Sequence, residues 1–195
     1  MRCAFSTSMK PELIRFAIFV GLCATGGAVL QGQAVNADAQ LIGEFQTRVK
    51  RYAALRDGQE RGAARLKTTK DPAQIAAAEQ ALATKIRAAR PQAQYGDIFM
   101  PAARPLFRRL LAPALKGRDG VENKAALKDD NPGPVPLKVN GTYPEKEPLS
   151  TVPPDILKSL PPLPEDLDYR FAGKHLILYD ARANLIVDFI PNAIP

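Results

Sequence analysis

The sequence has no tryptophan and one histidine, His175, and its two cysteines, Cys3 and Cys23, both lie near its start. Zinc sites draw three or four ligands from His, Cys and carboxylates, so a single histidine gives such a site little to build on. If the start of the chain is removed, no disulfide and no thiol nucleophile remain. We therefore expect a fold stabilised by its apolar core, without metal or cofactor, in which His175 is an ordinary strand-edge residue.

The motifs of common enzymes are lacking as well. The sequence contains no glycine-rich phosphate loop, no nucleophile elbow and no EF-hand calcium loop. Asp129 and Asp130 are adjacent carboxylates, but they lie in a charged, proline-flanked stretch where solvation accounts for them. A site assembled from distant residues would leave no such motif. An enzyme is therefore the third hypothesis, behind two kinds of binding or structural protein.

Residues 1–39 have the pattern of a secretory signal peptide. A basic start is followed by an apolar run over 16–30. This run suits a signal peptide and is shorter than the ~20 residues of a membrane-spanning helix. Ala37 and Ala39 then have the spacing of a cleavage site. We predict export to the periplasm or the medium with cleavage near Ala39; an uncleaved N-terminal anchor is the alternative.

Residues 40–118 are predicted to form a basic helical region. Apolar residues three or four apart indicate a first helix with one apolar side. Asp71 is a good N-cap for a second helix that begins at Pro72. We expect these helices to form an antiparallel hairpin, with a core of Phe45, Val49, Tyr52, Ile75, Leu82 and Ile86. A short third helix then begins near Pro105 and stops at Gly117.

Residues 119–164 contain ten prolines, which exclude long helices and central strands. Apolar residues nevertheless recur from Val135 to Leu163, more densely than in a disordered linker. We predict a proline-rich strap laid over the core, with one or two helical turns between Pro154 and Leu160.

Residues 165–195 contain three β-prone runs separated by short turns, which predicts an antiparallel β-meander. Asn184 is the residue of the second turn that adopts a positive φ most readily. Both sides of the strands are apolar, so we expect one face to pack on the helices and the other to lie under Leu149–Leu163 or a partner chain. Simple alternation assigns Asp188 to the less buried face. The predicted fold is a single α+β domain.

Charge is unevenly distributed. Residues 40–118 contain sixteen Lys and Arg against six Asp and Glu, a net charge of +10, whereas residues 119–195 have a net charge of −4. One interpretation is solubility and mutual attraction of the halves; the other is a basic surface for an anionic partner. Nucleic-acid motifs are absent, and export argues against such a partner. The candidate contacts to an anionic surface are Arg48, Lys50, Arg51, Arg56, Arg61, Arg65, Arg104, Arg108 and Arg109.

Two stretches resemble a family of uncharacterised exported bacterial proteins: VNGTYPEKEPLSTVPPDILKSLPPLPEDLDYRFAGKHLILYDARANLIVDFI and DPAQIAAAEQALATKIRAARPQA. The resemblance implies a Gram-negative envelope or periplasmic setting and assigns no catalytic residue. We therefore expect an exported, non-catalytic binding or structural protein with an envelope component as partner. The runner-up is a module whose basic helices dock on an anionic membrane surface or polymer.

Overall fold

The computed structural model describes residues 28–61, 70–129, 135–144 and 146–194, with side chains from Ala37 onward. Within this part, five helices accompany a four-stranded antiparallel sheet of order β1-β4-β3-β2, which confirms the predicted α+β class. Most of the predicted leader, with both cysteines, lies outside the described residues. The helices are α1 (Ala28–Arg61), α2 (Pro72–Ala89), α3 (Arg104–Ala114), α4 (Gly117–Asp129) and α5 (Pro154–Ser159). The strands are β1 (Gly141–Thr142), β2 (Leu167–Ala172), β3 (His175–Asp180) and β4 (Leu185–Ile190).

Helices α1 and α2 pack against each other as the predicted hairpin. The side chain of Asp71 caps α2 by accepting a 3.0 Å hydrogen bond from the backbone N–H of Ala73. All of the predicted hairpin core is buried except Ile75, which is 42% exposed, so that assignment was wrong. Ile75 lies in the first turn of α2, and the end of α1 that faces this turn in an antiparallel pair, 57–61, is polar and offers no apolar partner.

Helix α4 lies where the sequence predicted the start of the strap. Gly117, the predicted stop of the third helix, has a φ of +70° and turns the chain directly from α3 into α4. Only Gly120 and Leu127 of α4 are buried, so the sequence carries no apolar stripe from which this helix could be predicted. Gly120 fits against the end of α3, where an added Cβ would come within 2.4 Å of the carbonyl carbon of Leu115.

Strands β2, β3 and β4 form the predicted meander, and Asn184 has the expected positive φ, +47°. The alternation assumed for β4 was wrong, because the register shifts at Leu178/Tyr179: Leu178 pairs with Asp188 and Tyr179 with Ile186. The extra residue, Val187, forms a β-bulge, and a bulge reverses the alternation beyond it. Asp188 therefore points toward the helices and is fully buried, not on the less buried face.

The two faces of the sheet are covered by different segments. The main core lies between the helices and one face, where Phe45, Phe99 and Phe107 pack in stacked and edge contacts. The opposite face is covered by Val135 and Tyr143, together with Leu137. The prediction that Leu149–Leu163 covers this second face was wrong.

Residues 149–163 instead run past the outer edge of β2. There Ser150 Oγ accepts a 2.8 Å hydrogen bond from the N–H of Phe171, and Ile156 of α5 joins the main core. The helical turn predicted between Pro154 and Leu160 is present as α5, which packs on α3. Apolar spacing predicted that the strap was ordered, but spacing alone does not encode which face each part of an extended segment covers.

The hairpin core gives a direct test of the packing. Leu82→Ala should lower the free energy of unfolding by about 2–5 kcal/mol, because Leu82 is only 8% exposed in the main core and its truncation leaves a cavity. Ile75→Ala is the matched control on the same helix and should change it by about 0.5 kcal/mol or less. Urea unfolding measures both; equal effects of the two substitutions would contradict this account.

Candidate functional site

A groove of about 530 Å³ lies between α3, α4, the β2–β3 turn and residues 191–194, which we name the tail segment. This volume is within the range of about 300–1,000 Å³ typical of small-molecule sites. Among the residues that the structure describes, four cationic side chains and an apolar floor line it, and no carboxylate does. We name it the basic groove, and it is lined by Arg108, Ala112, Leu115, Lys116, Lys124, Lys174, Asn192, Ala193 and Ile194.

The tail segment is held in place by hydrogen bonds to α3 and to the β2–β3 turn. The guanidinium of Arg108 donates to the backbone oxygens of Pro191, at 2.9 Å, and Asn192, at 3.2 Å. The N–H of Ala193 donates to the carbonyl oxygen of Lys174 at 2.8 Å. Asn192 has a φ of +48°, which directs the chain across this turn. One wall of the groove is therefore fixed backbone.

The opposite wall is fixed where α3 meets α4. The side-chain amide of Asn123 donates a 2.8 Å hydrogen bond to the carbonyl oxygen of Ala114 at the end of α3. Gly120 allows the first turn of α4 to lie against Leu115 without a steric clash. Lys116 and Lys124 are thereby presented from two elements at the same groove.

All charged side chains that line the basic groove in the described part of the chain are positive. Lys116, Lys124 and Lys174 are exposed, and none of them forms an ion pair within the part of the chain that the structure describes. A lysine ammonium is a mobile point charge with three hydrogen-bond donors. Three such groups around one concavity suit an anionic group such as a carboxylate or a phosphate.

Two buried aspartates lie elsewhere, on the helix-facing side of the sheet. Asp188 accepts hydrogen bonds from the backbone N–H groups of Gly96, Ile98 and Phe99 at 2.8–3.0 Å. Burial raises the pKa of the Asp188 carboxyl above its ordinary value, and these N–H donors oppose the rise. The carboxylate thus anchors the loop that precedes α3.

Asp180 anchors α1 in the same way. Its carboxylate accepts a 2.6 Å hydrogen bond from the Tyr52 hydroxyl and two more from the backbone N–H groups of Arg182 and Ala183. Burial raises the pKa of Asp180, and burial together with the neighbouring carboxylate raises the pKa of Tyr52. Since Asp180 is fully buried and Tyr52 nearly so, both groups act in packing and not at a surface that a substrate could reach.

The residues predicted to contact an anionic surface lie on separate parts of the structure. Of the eight that the structure describes, only Arg108 lines the basic groove. Lys50, Arg51 and Arg61 are exposed along α1, whereas Arg65 lies outside the described residues.

The other predicted contacts interact within the chain. Arg48 pairs with Glu44 and donates to the backbone oxygen of Asp97. Arg104 stacks over the Tyr95 ring at 3.9 Å, and Arg109 pairs with Asp38 at 2.7 Å. These arginines stabilise contacts between elements and do not form a common surface.

Arg56 was wrongly predicted as a surface contact, because it is 3% exposed. Its guanidinium donates twice to the backbone oxygen of Glu165 at 3.2 Å and lies 3.9 Å from the Asp180 carboxylate. The sequence contained the reason for its burial: Arg56 follows Val49 and Tyr52 at the helical spacing of the apolar stripe.

Sequence reasoning missed Lys116, Lys124 and Lys174. Lys116 lies in the α3–α4 turn, Lys124 in α4 and Lys174 in the distant β2–β3 turn, which only the fold brings beside the other two. One sequence feature could have indicated part of the groove: Arg108, Ala112 and Lys116 are spaced by four, which places them along one side of a helix.

His175 begins β3, and its Nδ1 accepts a 3.1 Å hydrogen bond from the N–H of Asn192. Among the described residues, no group of three or more His, Cys, Asp or Glu could hold a metal ion. No helix in the same part of the chain is long and apolar enough to span a membrane. The chain matched no family model, no curated protein and no solved structure.

The raised pKa of Asp188 gives the pH dependence of stability a definite sign. The folded protein keeps the Asp188 proton at pH values where the unfolded chain has lost it. The protonated carboxyl therefore contributes its full stability below the ordinary pKa of aspartate, and this contribution is lost as the pH rises through the raised pKa of the folded state. The free energy of unfolding, taken relative to that of Asp188→Asn, should therefore fall with increasing pH across this window. Urea unfolding at several pH values measures it, and the exposed Asp155→Asn is the control. A difference that increases with pH would contradict the assignment.

Proposed function

We propose that this protein is an exported, non-catalytic binding module of the cell envelope, and that its basic groove holds an anionic ligand. One observation carries the proposal: three exposed lysines without an acidic partner among the described residues converge on a concave site from the α3–α4 turn, from α4 and from the β2–β3 turn. Like charges are brought together at a cost, and a bound anion offsets that repulsion. A surface adapted only for solubility would intersperse charges of both signs.

The roles of the buried acids support a non-catalytic protein. A general acid or base has to reach the atom whose proton it transfers. Asp180 and Asp188 have no exposed surface, and both are engaged by several hydrogen-bond donors of the protein itself. The raised pKa values of Asp180 and Asp188 therefore belong to groups that hold elements together.

Export is supported by the signal-peptide pattern, and the fold is compatible with cleavage near Ala39. The first buried side chain of α1 after Ala37 is Phe45. Cleavage there would remove the ion pair between Arg109 and Asp38, whose side chains are both largely exposed. Exposed ion pairs contribute about 0–1 kcal/mol. None of the buried core side chains that the structure describes belongs to the predicted leader.

N-terminal sequencing of the protein recovered from the periplasm or the medium should give a sequence that begins near Gln40. The mature protein should unfold at a temperature close to that of the full chain, because no buried side chain among residues 37–39 is lost. Recovery of the chain with Met1 intact in the membrane fraction would instead support the retained anchor.

The runner-up function places the contact on α1, where Lys50, Arg51 and Arg61 are exposed. These cations project from the side of a helix and form no concavity, which is the arrangement that a flat anionic membrane surface or an extended polymer requires. The two proposals therefore differ in which lysines and arginines contact the anion.

Matched charge reversals separate the two proposals. One variant carries Lys116→Glu, Lys124→Glu and Lys174→Glu; its control carries the same change of charge on α1, at Lys50, Arg51 and Arg61. Nuclear magnetic resonance titration with inorganic pyrophosphate should perturb the amides of the basic groove, and the groove variant should bind about tenfold more weakly or worse. The α1 variant should keep the affinity of the native chain.

Cosedimentation with phosphatidylglycerol vesicles at low salt forms the second arm of this experiment. Loss of vesicle binding in the α1 variant, with no pyrophosphate bound at the groove, would support the runner-up and overturn the groove. Equal affinity of both variants and the native chain for pyrophosphate would also overturn the proposal that the basic groove binds an anion. Melting temperatures of both variants show whether each is folded.

A further inference from the structure

The floor of the basic groove differs in character from its rim. Leu115 and Ala193 are buried members of the main core, and Ala112 and Ile194 are half-buried beside them. The cations Lys116, Lys124 and Lys174 stand exposed around these apolar residues. An inorganic anion would contact only the rim and would leave the half-buried side chains of Ala112 and Ile194 in contact with water.

We infer that the basic groove binds a single-chain amphiphile, an anionic head group on an alkyl chain; this inference rests on the proposed function. The chain lies on the floor, where it covers the exposed parts of Ala112 and Ile194 and buries its own apolar surface. The gain is roughly proportional to the apolar area removed from water. The head group lies among the lysine ammonium groups. The aliphatic stems of those lysines extend the apolar contact while their charges stay in solvent.

The recessed position of the apolar residues selects a single chain over an intact bilayer. Leu115 and Ala193 are each only 4% exposed, whereas the lysines around them are exposed. A flat membrane surface would meet the lysines first and could not reach the floor. An alkyl chain is narrow enough to enter the groove and reach it.

The fixed walls favour binding without a large ordering cost. Arg108 holds the backbone of Pro191 and Asn192, and Ala193 is hydrogen-bonded to Lys174. A site whose backbone is already in place loses little conformational entropy when the ligand enters. The lysine side chains remain free to adapt to either a carboxylate or a phosphate head.

Calorimetric titrations of the full chain with a homologous series test this inference. The probes are acetate, hexanoate and decanoate, with inorganic phosphate and decyl phosphate as a second head group and decyl glucoside as the uncharged control, all below the concentration at which they form micelles. Affinity should rise roughly two- to fourfold per methylene. Decyl glucoside should bind at least tenfold more weakly than decanoate. Whichever of decanoate and decyl phosphate binds more tightly identifies the source of the ligand, a fatty-acid carboxylate or a lipid phosphate.

Two variants locate the chain on the floor. Ala112→Trp fills the groove and should abolish the gain from chain length while leaving phosphate binding at the lysines; Ala88→Trp, at an exposed alanine of α2, is the matched control. Ile194→Ser removes apolar floor without adding bulk and should weaken decanoate binding severalfold. It keeps the test decisive if the larger substitution disturbs folding.

The results distinguish this inference from the proposal on which it rests. Binding of phosphate and acetate at the groove with no increase along the alkyl series would overturn the amphiphile and leave the anion site in place. Failure of every anion to bind would overturn both. Unchanged decanoate affinity in both Ala112→Trp and Ile194→Ser would place the chain elsewhere on the protein and overturn the inference.

Discussion

The carboxylate of Asp188 fixes how the two parts of the chain meet. A buried carboxylate is stable only where hydrogen bonds replace its lost water, and the N–H groups of Gly96, Ile98 and Phe99 supply them. The loop that carries these donors leads directly into α3. Because α3 forms one wall of the basic groove, a contact in the interior determines the position of a site on the surface.

Of the two buried aspartates, Asp188 reaches the helices only because of the bulge in β4. Asp180 points toward α1 by regular alternation along β3, but Asp188 would face the other way in a regular β4. The extra residue at Val187 turns it inward. The same insertion leaves Phe189 on the opposite face, where it packs with Tyr95 at 4.8 Å. The inserted residue thus adds Asp188, which anchors the loop before α3, to Asp180, which anchors α1.

The sequence predicted the fold where periodicity is strong and failed where it is weak or interrupted. The helical hairpin, the meander and the left-handed turn residue Asn184 follow from spacing and residue type. Helix α4 and the bulge at Val187 do not, because α4 has almost no apolar side and a bulge is a departure from the period on which prediction relies. The basic groove could not be predicted from the sequence for a related reason. Of its four cations, only Arg108 was among the predicted contacts, and long-range packing brings Lys174 of the β2–β3 turn beside Lys116 and Lys124.

The net charge of +10 in the helical region indicates little about binding unless arginines and lysines are considered separately. A guanidinium is planar and carries several donors in a fixed geometry, so it can cap a backbone oxygen while its charge stays partly solvated. Six arginines donate to backbone oxygens of distant or adjoining segments in this way: Arg48, Arg56, Arg87, Arg104, Arg108 and Arg170. These arginines satisfy carbonyl groups that loops and the strap cannot pair in a sheet. The cations around the basic groove, apart from Arg108, are lysines, whose charge is not needed to hold the chain together. A count of basic residues weighs both kinds equally and therefore does not separate the arginines that hold segments together from exposed cations, such as the lysines of the basic groove or Lys50, Arg51 and Arg61 on α1.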